Sequence, residues 1–152
     1  KKHEFLAQLK KMQIQAELEP LFPIRMDPNL MNQVFSNILE NAIKYAPEDT
    51  QISIKTYEKD GFVVFIIADQ GPGIPAQELP HLFTKFYRSA NAKSSPIKGS
   101  GLGLYLAKYF TELHQGQIFV ESNPRQGGLR CFEYLWLMMM PACDFLLNLH
   151  FQ

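Results

Sequence analysis

The sequence predicts an α+β fold, a two-layer α/β sandwich in which a mixed, mostly antiparallel sheet of about five strands is covered on one face by about three helices. The first observation behind this prediction is the order of the elements, which reads α-β-α-β-β-α-β-β along the chain. The second is the presence of two hairpin-like strand pairs, the first of them joined by Asp60-Gly61. Hairpins imply antiparallel neighbours, and an antiparallel sheet commonly packs its helices on one face.

Each element has a local signal of its own. A strong helix pattern over 28–45 begins after Asp27, a good N-cap, with Pro28 at the first helical position, and ends before Pro47. A second helix pattern ends at Gly116, and alternating or continuous apolar runs mark the strands. The predicted elements are a helix end at 1–12, a strand at 14–19, a helix at 28–45, strands at 51–58 and 62–69, a short helix near 76–82, a loop at 88–100, a helix at 102–115, a strand at 117–122, a turn at 123–128 and a strand at 129–137.

Composition excludes several classes of protein. The chain has 152 residues, 46% of them hydrophobic and 20% charged, which suits one soluble globular domain. Its 15 basic and 15 acidic residues balance, so bulk attraction to nucleic acid or to an anionic membrane is not expected. Cys131 and Cys143 are not at metal-ligand spacing, and we interpret them as free thiols in a reducing compartment.

The chain has no initial Met and opens within a helix pattern, so we interpret it as a fragment of a longer protein. Residues 1–13 are assigned to the end of a preceding helix or linker, residues 14–137 to the domain, and residues 138–152 to an apolar tail. Pro141 and Asp144 interrupt this tail and leave it short of the ~20 apolar residues of a spanning helix. The tail is either an extra packing helix or an appended sequence.

Four polar residues of the helix at 28–45 lie on one narrow arc of its surface. Asn37, Glu40, Asn41 and Lys44 follow the spacing i, i+3, i+4, i+7, which makes them neighbours. Asparagine is a poor helix former, whereas its amide oxygen is a good Mg²⁺ ligand beside phosphate and water. The arc is therefore either a solvated face or a site for a metal and an anion, in which Glu40 orients a nucleophile and Lys44 meets phosphate.

The segment IIADQGPGIP ends a buried strand with an acid and continues with two glycines. An ionised Asp69 would need a donor there, and the exocyclic amine of a base is one such donor. Gly71 and Gly73 allow positive φ and the close approach of a flat ligand. The alternative is a tight strand-to-helix connection in which Asp69 is a cap.

Three glycines at alternate positions run into the second strong helix, in the segment KGSGLGLYLAK. Free amides at a helix N-terminus form an anion site, and glycine lets the backbone approach phosphate. The spacing is that of neither a P-loop nor a Rossmann fingerprint. The segment is either a phosphate-binding turn or a flexible loop before a helix.

The order of these segments resembles a known family. NQVFSNILENAIKYAP is similar to the N box, DQGPGIP to the G1 box, LFTKFYRS to the F box and GSGLGLYLAK to the G2 box of sensor histidine kinases. The resemblance covers about residues 14–122. The chain resembles the ATP-binding catalytic domain of a two-component histidine kinase, in the superfamily shared with type II topoisomerases, heat-shock chaperones and mismatch-repair ATPases.

The resemblance implies a role for each matching residue. Asp69 is expected to accept a hydrogen bond from the adenine amino group, Asn41 to hold Mg²⁺, and Glu40 to position water or the incoming imidazole. The implied catalytic residues are Glu40, Asn37 and Lys44. The implied ATP-binding residues are Asn37, Asn41, Lys44, Tyr45, Asp69, Gly71, Gly73, Ile74, Tyr87, Arg88, Lys98, Gly99, Gly101, Leu102, Gly103 and Leu104.

Residues 88–99 resemble the ATP lid of this family, a flexible segment that orders over bound nucleotide. Within it, Arg88 and Lys98 are candidate phosphate contacts. Phe83, Phe86 and Tyr87 resemble F-box residues that pack under the lid, although core packing is an alternative for both phenylalanines.

The implied chemistry is transfer of the γ-phosphoryl group of ATP to a histidine, through positioning and charge neutralisation. None of the four histidines lies in the sequence context of a phosphoacceptor, and His3 is expected to be an ordinary helix-surface residue. The acceptor is therefore expected on a separate dimerisation domain, with a response regulator as the second partner. We expect a monomeric cytoplasmic domain that uses ATP and Mg²⁺ and binds no nucleic acid, in a parent protein that is either membrane-anchored or soluble.

Two alternatives keep the same fold. One is a non-catalytic nucleotide-sensing or partner-binding module, and the other is a serine kinase of the anti-sigma-factor type. Retention of Asn37, Asn41, Asp69 and the three glycines of the G2 box favours the kinase over the non-catalytic module.

Overall fold

The computed structural model describes residues 2–94, 96, 98–122 and 133–139. A 3₁₀ turn at Leu79–His81 lies between the third strand and the third helix. The helices and strands are α1 (Lys2–Leu9), β1 (Gln13–Leu18), α2 (Pro28–Tyr45), β2 (Gln51–Lys59), β3 (Phe62–Asp69), α3 (Ala90–Ser94), α4 (Gly103–Leu113), β4 (Gln117–Ser122) and β5 (Glu133–Met139).

The five strands form one sheet in the order β1-β2-β3-β5-β4. β1 and β2 run parallel, whereas the other neighbouring pairs are antiparallel. β2 and β3 are joined by Asp60 and Gly61, whose φ angles of 51° and 80° are both positive, as a type I′ hairpin turn requires. The predicted fold class, a mixed and mostly antiparallel sheet with helices, is confirmed.

The core lies between the sheet and the helices. Ile38 of α2 is buried in one cluster with Ile52 of β2 and with Val63 and Ile67 of β3. Residues two apart on a strand share a face. Asp69, the last residue of β3, therefore lies on the face of the sheet that Val63 and Ile67 present to the helices.

The first helix packs into the same core. Ala7 and Met12 are buried and belong to the cluster that α2 and the sheet form. Residues 1–13, which the sequence led us to place before the domain, thus contribute side chains to its interior.

Asp27 both caps α2 and connects it to the end of α4. The Asp27 carboxylate caps α2 by accepting hydrogen bonds from the N–H groups of Asn29 and Leu30, as the sequence predicts. The Asp27 N–H donates to His114 Nε2 at the end of α4, over 2.9 Å. The end of α4 therefore meets the start of α2, and the start of α4 lies beside the middle of α2.

The lid region departs from its prediction, because residues 88–100 were expected to be a loop and contain α3. Ser89 starts this helix by accepting hydrogen bonds from Ala92 N–H through its hydroxyl and from Lys93 N–H through its carbonyl. Small polar residues are ambiguous between caps and loops, which is why the sequence pattern concealed this short helix.

Smaller differences concern element ends. The short helix predicted near 76–82 is limited to the 3₁₀ turn, and β5 continues to Met139, into the predicted tail. Two longer parts of the chain lie outside the described residues. Residues 123–132 comprise the whole predicted turn and the start of the last predicted strand, with Cys131, and residues 140–152 comprise most of the predicted tail, with Cys143. None of the helices in the described ranges has both the length and the apolar character needed to cross a membrane.

Candidate functional site

A cavity of about 520 Å³ lies between α2, the segment after β3, the lid region and the start of α4. This volume is in the range of small-molecule sites. The predicted site residues that line it are Asn37, Glu40, Asn41, Lys44, Tyr45, Gly73, Ile74, Tyr87, Arg88, Lys98, Gly99, Gly101, Leu102, Gly103 and Leu104. Of the predicted set, Asp69 and Gly71 are outside this wall.

The cavity also has lining residues that sequence reasoning missed, namely Pro72, Leu82, Ser89, Ala92, Ser100 and Leu106. All six lie inside the recognised segments, so their positions were a usable signal. Leu82, Ala92 and Leu106 are apolar, however, and their type alone does not distinguish a cavity wall from core packing.

The polar arc of α2 forms one side of the cavity. Asn37, Glu40 and Asn41 are partly buried, and Lys44 is exposed. Lys44 Nζ lies 3.7 Å from Glu40 Oε2, a pair one helical turn apart. The arc therefore presents two amides, a carboxylate and an ammonium to the same space.

Glu40 is also close to α1, through His3. His3 Nε2 lies 3.7 Å from Glu40 Oε1, and the His3 side chain is only 21% exposed. This nitrogen is buried and has no hydrogen-bond partner within the described part of the chain. His3 is thus partly buried between α1 and α2 rather than an ordinary surface residue, because α1 folds back onto α2.

Asp69 is buried beside the cavity, at the end of β3. The Gly71 N–H donates to its Oδ1 over 2.7 Å. Burial raises the pKa of Asp69 from 3.8 to about 6, against the opposing effect of this hydrogen bond. The carboxyl keeps acceptor capacity for a further donor, since it uses one oxygen for Gly71.

The start of α4 faces the polar arc of α2. A Cβ on Gly103 would lie 3.7 Å from the Asn37 amide oxygen, so the two helices approach closely there. Among the described residues no side chain caps this helix at Leu102. The first amides of α4 have no intrahelical acceptor, and Gly103 and Leu104 line the cavity.

The segments on either side of the lid meet at Phe86 and Gly101, which we call the lid base. The Phe86 N–H donates to the Gly101 carbonyl over 3.0 Å. Both residues have positive φ, 64° for Phe86 and 71° for Gly101. The expectation that Phe86 packs under the lid is wrong, because this backbone conformation leaves its side chain 66% exposed, whereas Phe83 packs against the core.

Contacts within the lid and with the preceding Glu78 hold α3 at the edge of the cavity. Arg88 Nη2 donates to the Ala92 carbonyl over 2.6 Å. The Tyr87 hydroxyl and the Ala90 N–H both donate to the Glu78 carboxylate, each over 3.2 Å. Arg88, a predicted phosphate contact, therefore also binds the lid's own backbone.

The donor set restricts the kind of metal that could bind. No group of three or more His, Cys, Asp or Glu side chains converges among the residues that the structure describes. Asn37 and Asn41, whose side chains carry amide oxygens, line the cavity. A cation there would fit hard-oxygen coordination shared between a protein amide, ligand oxygens and water.

Comparison with known proteins identifies the family. Residues 26–137 match the model of the histidine kinase-, DNA gyrase B-, and HSP90-like ATPase family. The sensor protein KdpD of Clostridium acetobutylicum is 41% identical over 111 residues, which are 73% of this chain but 12% of that protein. The chain thus spans a small part of this relative's length.

Solved structures give the same result. The mycobacterial sensor histidine kinase MprB superposes with a TM-score of 0.76 at 28% identity, over 91% of each chain. The structure of full-length ShkA in complex with AMPPNP superposes with a TM-score of 0.72 at 25% identity, over 90% of this chain and 28% of that one. The chain therefore belongs to the histidine kinase-, DNA gyrase B-, and HSP90-like ATPase family.

Proposed function

We propose that this chain is the ATP-binding catalytic domain of a sensor histidine kinase, which transfers the γ-phosphoryl group of ATP to a histidine on a separate dimerisation domain. The observation that carries the proposal is one cavity lined by the polar arc of α2 on one side and by the residues that open α4 on the other. The names of the similar proteins support it, since KdpD and MprB are called sensor proteins or kinases.

The adenine end of the site is assigned to Asp69. Its carboxyl is buried and bonded to Gly71 N–H, and it can accept a hydrogen bond from the exocyclic amine of adenine. Tyr45, Pro72, Gly73 and Ile74 line the cavity on this side and offer mostly apolar surface to the base. A buried carboxylate that accepts a hydrogen bond from the exocyclic amine favours adenine over bases that have an acceptor at the same position.

Replacing Gly71 with alanine tests the placement of Asp69. The new Cβ would lie 2.7 Å from Asp69 Oδ1, so the carboxylate must rotate away from its present position. We expect ATP affinity to fall about tenfold, the loss of one hydrogen bond. The chain should stay folded and lose only about 1–2 kcal/mol of stability, the cost of the broken Gly71 hydrogen bond, because a side chain rather than the backbone makes way. Unchanged ATP affinity in calorimetry would contradict the assignment of Asp69.

The phosphate end is assigned to the start of α4 and the far part of the α2 arc. Open amides at a helix N-terminus bind anions, and Lys44, Lys98 and Arg88 line the same cavity as cations. Asn41, with Asn37 in support, would hold Mg²⁺, which neutralises charge on the transferring phosphoryl group. Glu40 would then orient the incoming imidazole, which reaches the cavity from outside the chain.

A phosphoryl-transfer assay tests the proposed function. The chain, ATP labelled in its γ-phosphoryl group, Mg²⁺ and the dimerisation domain of the parent protein are combined, and label on a histidine is measured. We expect Asn41→Ala to lower the transfer rate at least about tenfold, since loss of a metal ligand removes charge stabilisation. Asn32→Ala, on an exposed position of the same helix, is the matched control. An acceptor that stays unlabelled with a wild-type chain that binds ATP would reject the kinase assignment.

Partners follow from the same proposal. The dimerisation domain supplies the histidine, and a response regulator would receive the phosphoryl group from it. The domain is expected to work on the cytoplasmic side, where ATP is available.

A further inference from the structure

Lys10 joins the end of α1 to the end of α2. Its ammonium donates three hydrogen bonds to backbone carbonyls, to Ile43 over 2.8 Å, to Lys44 over 3.1 Å and to Ala46 over 2.6 Å. The carbonyls in the last turn of a helix lack intrahelical donors. The Lys10 side chain, just after α1, therefore satisfies the C-terminal end of α2 with all three of its N–H groups.

The backbone holds Lys10 in a fixed place. α1 ends in a Schellman arrangement, in which Met12 N–H donates to the Ala7 carbonyl and Lys11 N–H to the Gln8 carbonyl. Lys11 takes the left-handed conformation of that motif, with φ of 53°. Ala7 and Met12, on either side of Lys10, are buried in the core. Lys10 thus reaches α2 from a rigid base.

The turn after α2 is bound to the same residue. Asp49 N–H donates to the Lys10 carbonyl over 3.1 Å. Lys10 therefore contacts both the last turn of α2 and the connection from α2 to β2, through its side chain and its main chain.

The end of α2 also carries part of the cavity. Lys44 and Tyr45 lie on its wall. The Tyr45 carbonyl is 3.9 Å from the point that a Cβ on Gly71 would occupy, so this turn is in van der Waals range of the segment after β3. A small displacement of the last turn would therefore move Lys44 and Tyr45 relative to Gly71 and Asp69.

The positive charge of Lys10 is a second way in which it favours nucleotide binding. The C-terminal end of a helix carries a partial negative charge, and a cation there is favourable. ATP is a polyanion, so uncompensated carbonyls close to its site would oppose its binding. The Lys10 ammonium compensates these carbonyls without occupying the cavity, since it is not one of the lining residues.

We propose that Lys10 is a positioning residue for nucleotide binding, which holds the last turn of α2, and with it Lys44 and Tyr45, in the arrangement that the nucleotide requires. This inference rests on the proposed function, because it presumes that the cavity binds ATP. It gives the end of α1, which lies outside the region matched by the family model, an influence on the site that acts through the last turn of α2.

The test compares ATP affinity in variants that are fully folded at the temperature of the titration. Lys10→Met replaces the apolar stem of lysine with one of the same length and removes the ammonium group, with its donors and charge, whereas Lys10→Arg keeps both donors and charge. We expect Lys10→Met to weaken ATP binding about five- to tenfold and Lys10→Arg to stay within about twofold of the wild type. Lys11→Met is the matched control, because Lys11 is the exposed neighbour, and it should bind ATP normally.

A folded Lys10→Met chain that binds ATP like the wild type would overturn the inference and leave Lys10 a purely stabilising residue. If Lys10→Met does not fold, Lys10→Gln, which keeps an N–H donor on a shorter side chain, is subjected to the same comparison and the same criterion. Absence of ATP binding by the wild type is a different result, because it would reject the proposed function itself.

Discussion

Replacing Asp69 with asparagine is expected to abolish ATP binding in calorimetric titration and, at neutral pH, to stabilise the chain without nucleotide. Binding is lost because the introduced amide can retain the Gly71 bond through its oxygen while its NH₂ group opposes the amine of adenine. A site built to receive a donor rejects the wrong partner strongly, since buried polar groups are then left unpaired.

The gain in stability follows from the pKa of Asp69. In the folded chain burial raises this pKa from 3.8 to about 6, so the folded state binds more protons than the unfolded state between these two values. The free energy of unfolding due to this group therefore falls as pH rises from about 4 to about 6 and is constant above. Above about pH 6 the ionised carboxylate lowers the free energy of unfolding by about 3 kcal/mol. Asparagine removes this loss, but its NH₂ group is itself buried at a cost, so we expect Asp69→Asn to raise the free energy of unfolding by about 1–2 kcal/mol.

Chemical denaturation at pH 4 and pH 7.5 measures this difference. The variant should be the more stable chain at pH 7.5 and the less stable one, by about 1 kcal/mol, at pH 4, because the cost of its buried NH₂ group does not depend on pH whereas the cost of the carboxylate does. Asp60→Asn is the matched control, because it makes the same chemical change at an exposed turn residue with a left-handed backbone that asparagine tolerates. An Asp69→Asn chain that binds ATP as tightly as the wild type would contradict the assignment of the adenine end.

Gly101→Ala is expected to destabilise the chain and to weaken ATP binding together. Gly101 has φ of 71°, which costs other residues about 1–2 kcal/mol. A Cβ there would lie 2.7 Å from Phe86 C and from the Tyr87 carbonyl oxygen, and backbone atoms cannot rotate away. We expect the free energy of unfolding to fall by at least about 2 kcal/mol. ATP affinity should fall as well, because the Phe86–Gly101 hydrogen bond that joins the segments on either side of the lid is disturbed.

Gly99→Ala provides the control for this prediction. Gly99 lines the same cavity, but nothing lies within 4 Å of a Cβ added there, and its φ is not in the left-handed region. Its thermal unfolding should match that of the wild type closely. Equal effects of the two substitutions on stability would show that Gly101 does not pack against the backbone of Phe86 and Tyr87 in solution.

Local signals explain why much of the fold was predictable. Asp27 and Pro28 mark the start of α2 because a cap and a proline act within one turn, and the structure starts the helix at Pro28. Asp60-Gly61 predicts a hairpin because both residues accept positive φ. The segments of the site were found for the same reason, since glycine, proline and asparagine at unusual positions indicate special requirements of the local backbone.

Contacts between distant segments explain what the sequence did not predict. Lys10 and Ile43 are 33 residues apart, and no local pattern indicates that they meet. His3 was judged from its own helix, whereas its position depends on how α1 folds onto α2. Phe86 was assigned to packing by its aromatic type, although the strained backbone at the lid base turns it to solvent.

The measurement that tests the central claim most directly is a calorimetric titration of the wild-type chain with ATP, with and without Mg²⁺. We predict saturable binding at one site, tighter with Mg²⁺ and competed by ADP, because the cavity between α2 and α4 combines an adenine acceptor with a phosphate site. Absence of binding by a chain that circular dichroism shows to be folded would contradict the account.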